Sequence, residues 1–456
     1  MEPVAEALRS LPEWLAVLAD PGAIGEVLTG VLGALLGSIS RVGECRVDRV
    51  RLGDTWVGRY DVDVDRGAGL ETARVRAELV PPGRPLPEPS PETVLVRSLR
   101  LVCRLDAPPA LGLAALHELA DAATGLKLLN AAIGRPEGRY EGFRAIAVDS
   151  AVVRLKPANR ATIRLALRFP PGSPPEWPPT IFAKVYRGKK GEAAWTGMIA
   201  LRDADATAGG AVLAEPLAWL DDRRVLLQRA VVGDRELKGV LRATMRSGDA
   251  AARSELDRVV RGAARGLAGI HRCGATAGDT VTWNDELAER REEVAELTTL
   301  LEGAEMAESA RGAATFLDGL AALDARYPSE PPVPTHGSFR PGQVLFGDGE
   351  MSFIDLDGYC QAEPARDVGL FVTEMRSLAA DAGVPGGAAE GDRLAAVFLD
   401  AYRERAEVSA TRVALWGALE GFAKVLNCWT KVKPTRLASE LGELDRLLER
   451  ERGIFA

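Results

Sequence analysis

The sequence predicts an α+β protein in which a β-rich N-terminal half feeds a helical C-terminal half, a two-lobed arrangement preceded by an additional α/β cap. Three observations carry this reading. Residues 45–105 and 148–233 contain runs that alternate apolar and polar with a period of two. Nearly everything after Leu237 recurs at helical spacing. One short β island, around residues 333–357, interrupts that helical run. The predicted division is an N-terminal α/β cap over 1–144, a β-rich lobe over 145–236 and a helical lobe over 237–456.

Residues 4–37 predict helix, with Leu, Val and Ala at helical spacing and Pro21-Gly22 punctuating the middle. CRVDRVRLGDTWVGRYDVDV, from Cys45, reads as a hairpin turning at Gly53-Asp54. TARVRAELV and ETVLVRSLRLVCRL are further strands, and PPGRPLPEPSPE between them is a surface loop, because proline cannot serve an interior ladder. GLAALHELADAATGLKLLNAA returns to helix. A second β region holds SAVVRLKPANRATIRLALRF and IFAKVYRG, then the helix GEAAWTGMIALRDA and the strands VLAEPLAWL and RVLLQRAVVG. Its first hairpin echoes the earlier one: Arg51-Leu52 and Arg59 in one match Arg154-Leu155 and Arg164 in the other. Such an echo fits an internal duplication of a β-module, making the cap a lobe-like repeat, and equally fits two unrelated amphipathic hairpins.

The chain has 456 residues, 46% of them hydrophobic and 27% charged, an ordinary globular composition. A net charge of −8 gives no global reason to expect nucleic acid or an anionic membrane. The first residues lack the basic and apolar regions of a signal peptide, and GAIGEVLTGVLGALLGS contains Glu26 and is too short to span a bilayer. Five scattered cysteines without a CxxC pair suit reduced thiols, so the cytoplasm is the expected compartment. Three dispersed histidines exclude a His-rich metal site. Chemistry here must run on carboxylates, amides and cations.

Within the β island, Val344-Leu345-Phe346 and Met351-Ser352-Phe353-Ile354 flank the turn sequence GDGE. That hairpin folds Asp355 back beside the loop from His336 to Gln343. The Asp355 carboxylate and the Gln343 amide oxygen can then converge on one Mg2+, which takes a few hard oxygens from protein and completes its shell with water and phosphate. Asp357 follows two residues on. The plainer alternative is a hairpin whose acidic end faces water. Lys184 interrupts the apolar strand TIFAKVYRG, and burying an unpaired ammonium is costly. Glu192, opening the next helix, is the candidate partner; the alternative is a strand-end lysine reaching solvent. The turn Lys156 to Arg160 has no glycine, so it offers little bare backbone to a phosphate and reads equally well as a plain hairpin turn.

Together these pieces resemble the aminoglycoside phosphotransferase/choline kinase-like family, a branch of the protein-kinase-like fold, over residues 145–456. The most specific stretch is HGSFRPGQVLFGDGEMSFIDLDGYCQAEPARDVGLF, similar to that family's His-Gly-Asp loop, hairpin, Ile-Asp metal segment and downstream Asp-Pro-Ala-x-Asp-Leu run. The resemblance implies ATP and Mg2+ as cofactors. By it, Asp355 and Gln343 are metal ligands, Lys184 holds nucleotide phosphates with Glu192 orienting it, and Gln228 in LLQRAVVG lies at the adenine-binding hinge. Arg340 takes the charge-stabilising position, Asp367 is the structural acid that anchors the following helix, and His271 is structural. The cap resembles extra domains of some bacterial members and is a candidate surface for a protein partner.

Three departures stand out. Ser338 replaces the aspartate that positions and deprotonates the acceptor hydroxyl, Gln343 replaces asparagine, and Glu363 replaces aspartate before Pro364. Serine is no carboxylate base at neutral pH, and general-base help is worth about 10²–10⁴ in rate. Phosphoryl transfer draws most of its catalysis from positioning and charge stabilisation, so loss of the base need not abolish it. Asp357 is the nearest carboxylate that could stand in. The leading expectation is an ATP- and Mg2+-dependent phosphotransferase acting on a small hydroxylated metabolite, natural product or peptide. The rival is a catalytically silent pseudokinase that binds nucleotide or a partner protein. Trp416 and Trp429, on the expected acceptor side, read as core residues in preference to ring-stacking ones.

Overall fold

The computed structural model describes residues 8–455 apart from 38, 40, 68, 89, 107–112, 157–158, 207–209, 302–306 and 382. In chain order the first elements are α1 (Glu13–Ala16), α2 (Pro21–Leu36), β1 (Arg41–Leu52), β2 (Trp56–Asp65), β3 (Leu70–Leu79), β4 (Val94–Val96) and β5 (Leu101–Leu105). Next come α3 (Ala114–Ala120), α4 (Ala122–Ile133), β6 (Ala147–Lys156), β7 (Arg160–Arg168), β8 (Thr180–Tyr186), α5 (Lys190–Asp203), β9 (Val212–Leu213), β10 (Pro216–Leu220), β11 (Val225–Arg229) and β12 (Arg235–Glu236). The helical half holds α6 (Leu237–Ser247), α7 (Ala250–Arg272), α8 (Trp283–Leu301) and α9 (Ala307–Arg326). The β island is β13 (Val333–Thr335), β14 (Val344–Gly347), β15 (Glu350–Phe353) and β16 (Cys360–Ala362). The chain then closes with α10 (Ala365–Ala380), α11 (Gly387–Arg403), α12 (Ala410–Thr430), α13 (Pro434–Arg450) and α14 (Arg452–Phe455).

Two compact units divide these elements: 1–108 with 283–328 and 414–456, and 109–282 with 329–413. This grouping cuts the chain differently from the predicted boundaries at 144 and 236. Helices α3 and α4 belong with the second sheet, and α8, α9 and α13 group with the N-terminal strands.

In the first unit, Asp20 accepts from the backbone N–H of Gly22 and Ala23 (2.9 and 3.1 Å), and Pro21 occupies the first helical position. The Pro-Gly punctuation is therefore a helix start. Strand β2 buries every second residue, Trp56 through Val64. Tyr60 donates to the Leu18 carbonyl (2.9 Å) and Trp56 to the Trp429 carbonyl (3.0 Å). Trp429 in turn donates to the Leu8 carbonyl (3.2 Å), and Trp416 packs edge-on to Trp283, so both tryptophans are core residues of this unit. Residues 4–7 of the predicted first helix lie outside the described residues. Among the described residues no single helix is long and apolar enough to cross a membrane; Glu13–Ala19 with Pro21–Leu36 passes only as a pair bent by 84°.

In the second unit the sheet runs β10-β11-β8-β7-β6, antiparallel throughout. One face carries Ile163, Leu165, Ile181, Ala183, Val185, Val225 and Leu227, buried against Leu116, Leu119, Leu129 and Ile133 of α3 and α4. The predicted single helix over 112–132 is broken at Asp121, whose carboxylate caps α4 through the Thr124 N–H (2.8 Å). VLAEPLAWL, expected as one strand, divides: Val212 and Leu213 pair in parallel with β15, while Pro216–Leu220 pairs with β11.

The two five-stranded sheets share one strand order, β1-β2-β3-β5-β4 and β6-β7-β8-β11-β10. In each, the last two strands are joined by a 3-10 turn ending on a left-handed arginine, Arg100 (φ 54°) or Arg224 (φ 52°). Aligned there, the pair Leu79–Leu101 falls on Val185–Val225, and Glu78 takes the place of Lys184. Registers then carry Arg51-Leu52 onto Arg154-Leu155 and Arg59 onto Arg164. These are the positions whose echo the sequence showed.

Candidate active site

Strand periodicity sets the cationic half of the site. Because Ala183 and Val185 point into the α3–α4 core, Lys184 and Tyr186 point to the opposite face of the sheet. Antiparallel register puts Arg160 opposite Tyr186 and Thr162 opposite Lys184, so Arg160 shares that face. Gln228, opposite Phe182 on β11, lies there as well, with its side chain buried.

The anionic half comes from the β island. Strands β14 and β15 are joined by Asp348 and Gly349, both with positive φ (49° and 82°), the two-residue turn that matches strand twist. The Ile354 N–H donates to the Gln343 carbonyl (3.0 Å), which fixes Asp355 beside the loop. Asp355 itself is left-handed (φ 69°) and starts the 3-10 turn Leu356–Gly358 that carries Asp357. Gly337 (φ 75°) packs against Gly358 so closely that a Cβ would overlap the Gly358 carbonyl, so this loop position requires glycine.

Asp367, at the start of α10, ties the loop down. Its fully buried carboxylate accepts from the backbone N–H of His336 (2.7 Å), Gly337 (3.2 Å) and Phe339 (3.3 Å). Burial pushes this carboxyl up, but the hydrogen bond and charge of His271 outweigh it, and the group sits at about 2. His271 Nε2 lies 3.4 Å from Asp367, and its Nδ1 lies 2.6 Å from the Tyr402 hydroxyl. The resemblance gave Asp367 the following helix to anchor; here it sits in that helix and clamps the loop. His336 is fully buried and donates from Nε2 to the Ile354 carbonyl (3.0 Å), and burial holds its pKa below the usual histidine value. Beneath the loop, Phe339 packs on Phe353 and Phe371, and Phe371 stacks on Phe398 (4.8, 5.0 and 4.2 Å between centroids).

Both halves meet. Lys184 Nζ donates to Asp355 Oδ1 (2.8 Å) and Asp357 Oδ1 (2.7 Å), its side chain 9% exposed. Tyr186 donates its hydroxyl to Asp357 Oδ1 (2.8 Å). Arg160 Nη1 donates to Asp355 Oδ1 (3.3 Å) and to Asp357 Oδ2. Burial would raise the Asp355 carboxyl, yet Lys184 and then Arg160 hold it well below the usual carboxylate range. Burial and the Asp357 charge push the Tyr186 phenol up, so it stays a donor.

Gln343 accepts the Arg340 N–H at Oε1 (2.9 Å) and donates from Nε2 to Ser338 Oγ (3.3 Å). Arg340 is half-exposed, with Nη1 3.5 Å from Glu374. Lys184, Asp355, Asp357, Gln343 and Ser338 are therefore brought together. Glu192 is not: it lies exposed in the first turn of α5, and Lys184 is paired with the two aspartates. Glu363, before Pro364, makes a buried ion pair with Arg412, Nε to Oε2 at 2.8 Å.

Sequence reasoning left Arg160 within a turn and did not single out Tyr186. Pro157 and Ala158 of that turn lie outside the described residues. Alternation from Lys184 was the signal for Tyr186; Arg160 needed the hairpin register.

The donor set around Asp355 suits a hard cation. Both protein cations meet Asp355 through Oδ1. Among the described residues there is no cluster of three or more His, Cys, Asp or Glu side chains that could hold a metal by themselves. One carboxylate and an amide, completed by water and phosphate, is what Mg2+ accepts.

A family model for the phosphotransferase enzyme family matches residues 147–410, more than half of the chain and the stretch from Arg160 to Asp367 that carries the site. The chain belongs to that family. It is also 36% identical over 92 residues to a glucosamine kinase of Streptacidiphilus jiangxiensis, a stretch covering 20% of this chain and 20% of that relative. A solved glucosamine kinase in complex with glucosamine, ADP and inorganic phosphate aligns over 96% of this chain and 99% of its own, with 18% identity and a TM-score of 0.48. A choline/ethanolamine kinase family protein from Mesorhizobium loti aligns over 64% of this chain and 87% of its own, with 13% identity and a TM-score of 0.41.

Proposed function

We propose that this chain transfers the terminal phosphoryl group of ATP to a hydroxyl of a small sugar-like acceptor, with Mg2+ as the assisting ion. The observation that carries this is the convergence of Lys184, Asp355 and the His336–Gln343 loop in one partly buried site. Lys184 holds the nucleotide phosphates, Gln228 lies at the adenine end, and Asp355 with Gln343 holds Mg2+. These residues would hold the ion, which would supply charge stabilisation to the transferring phosphoryl group. Arg340, half-exposed beside the loop, faces the transferred group. Glu192 reaches Lys184 only if α5 shifts on loading. The glucosamine kinase relative makes an amino sugar the first acceptor to try.

Ser338 limits the rate and leaves the reaction class unchanged. Its Oγ accepts from Gln343, which leaves the hydroxyl proton to donate to an incoming oxygen. Ser338 can thus orient an acceptor without deprotonating it; ADP leaves as the O–P bond forms, and the acceptor's proton passes to the transferred phosphoryl oxygens or to water. Asp357 already receives Lys184, Arg160 and Tyr186, so it serves to hold these donors, and proton abstraction would require it to release one.

The five-stranded sheet of the N-terminal region we read as a second copy of the lobe sheet. It carries Glu78 where Lys184 stands, so nucleotide falls to the second sheet alone. The N-terminal sheet is then available to a protein partner. Among the described residues no disulfide joins the five cysteines, in keeping with a cytoplasmic setting where ATP is supplied.

The test is incubation with γ-labelled ATP, Mg2+ and a panel of amino sugars including glucosamine. Label transferred to a sugar and lost in Asp355→Ala supports the proposal. ATP binding with no transfer to any acceptor and no slow hydrolysis favours the silent nucleotide-binding reading that Ser338 raises.

A further inference from the structure

The charge balance of the site has a cost for any metal that enters it. Asp355 and Asp357 are matched one for one by Lys184 and Arg160. A divalent ion arriving at Asp355 meets two cations bonded to the same oxygen, and like charges at such range in a partly buried site repel strongly. One of them must yield. Lys184 sits inside β8 with paired strands on both sides and reaches both carboxylates. Arg160 is the first residue of β7, beside the turn of its hairpin, on a long side chain.

The same hairpin lacks the glycines that would let backbone N–H groups approach a polyphosphate. It offers cations in their place. Lys156 lies within electrostatic range of Arg154, Arg160, Lys190 and Asp355, so the hairpin tip and the start of α5 form a basic lip beside the carboxylates. A guanidinium, with five donors in a planar fork, is the side chain best suited to grip phosphate oxygens.

From this geometry we infer that Arg160 is a phosphate-contacting residue with two stations. In the nucleotide-free protein it bonds to Asp355 and Asp357 and keeps divalent metal off them. When metal-bound nucleotide arrives, Arg160 transfers to the polyphosphate and frees the carboxylates for the ion. Metal and nucleotide therefore enter together, and a side chain does the work of the missing glycine-rich loop. The inference deepens the reading of this site as a nucleotide site and rests on it for the identity of the polyanion.

The experiment measures free Mn2+ by electron paramagnetic resonance on the whole chain without nucleotide, for wild type, Arg160→Ala, Arg160→Gln and the control Arg164→Ala. Arg164 is an exposed arginine on the same strand and face. Calorimetry on the same proteins follows ATP in the absence of metal. Both Arg160 variants are expected to bind Mn2+ at least tenfold more tightly than wild type and ATP at least tenfold more weakly, with Arg164→Ala unchanged in both. Mn2+ affinity within twofold of wild type in both Arg160 variants, or undiminished ATP affinity in them, overturns the inference. If wild type binds no ATP at all, the proposed function fails, and the Mn2+ comparison still decides whether Arg160 guards the carboxylates. Thermal melting of each variant confirms that a null binding result comes from a folded protein.

Discussion

Replacing Asp367 with alanine removes the acceptor that holds the His336–Gln343 loop. Three buried backbone donors, on His336, Gly337 and Phe339, then lose their partner. An orphaned buried donor costs about 1–3 kcal/mol. Two of the three bonds are long, 3.2 and 3.3 Å, so each counts near the low end, and the 2.7 Å bond counts higher. The sum is about 3–5 kcal/mol, in line with breaking a buried charged pair from one side. Because the chain divides into two units, a global unfolding midpoint would mix events. Hydrogen exchange of a peptide covering residues 333–343 reads the loop directly. At about 1.4 kcal/mol per tenfold, protection there falls by on the order of 10²-fold or more. A fall of less than tenfold would refute the assignment of Asp367 as the clamp. The same group predicts acid behaviour. Its folded pKa of about 2 lies below the ordinary carboxylate value of 3.8, so its contribution is complete above about pH 4. It is lost as pH falls through the folded value, and loop protection should decline between pH 4 and 2.

Other outcomes follow from neighbouring groups. Restoring a carboxylate by Ser338→Asp raises transfer to hydroxyl acceptors by about 10²-fold, the lower range of general-base help, in a steady-state assay; an unchanged rate would mean that the acceptor arrives already ionised. Arg412→Ala strands the buried Glu363 carboxylate and weakens the local fold by about 3–5 kcal/mol, read by hydrogen exchange of a peptide covering residues 359–366. His336 stays neutral below the usual histidine pKa because burial opposes its charge. The unfolded chain takes up that proton as pH drops below about 6.5 and the native one does not, so this site makes the fold less stable towards acid. An NMR titration of His336 with an inflection at or above pH 6.5 would contradict this.

Much of the site was legible because its chemistry lies in short segments. The GDGE turn, the Asp355 return and the His336–Gln343 loop are all set within about twenty residues, where turn residues dictate the geometry. Lys184 was legible because a charge in an apolar strand must have a partner. Its partner was not. The sequence points to Glu192, which opens the next helix, while Asp355 and Asp357, 171 and 173 residues away, take the ammonium. Arg160 is hidden for a related reason: only the pairing of β7 with β8 brings this turn residue to the face where it meets Asp355 and Asp357. The break at Asp121 was visible in principle as a cap residue inside an apolar helix pattern. Where α8, α9 and α13 belong was not visible, since amphipathic helices do not encode which unit receives their apolar face.

The proposed function requires that this partly buried convergence of lysine and aspartates bind nucleotide. Calorimetry with ATP and Mg2+ on wild type and Asp355→Ala tests it most directly. Wild type is expected to bind with a Kd between about micromolar and sub-millimolar, dependent on Mg2+, and the variant at least tenfold more weakly. Absence of binding in wild type, or equal binding in a folded Asp355→Ala, would contradict it.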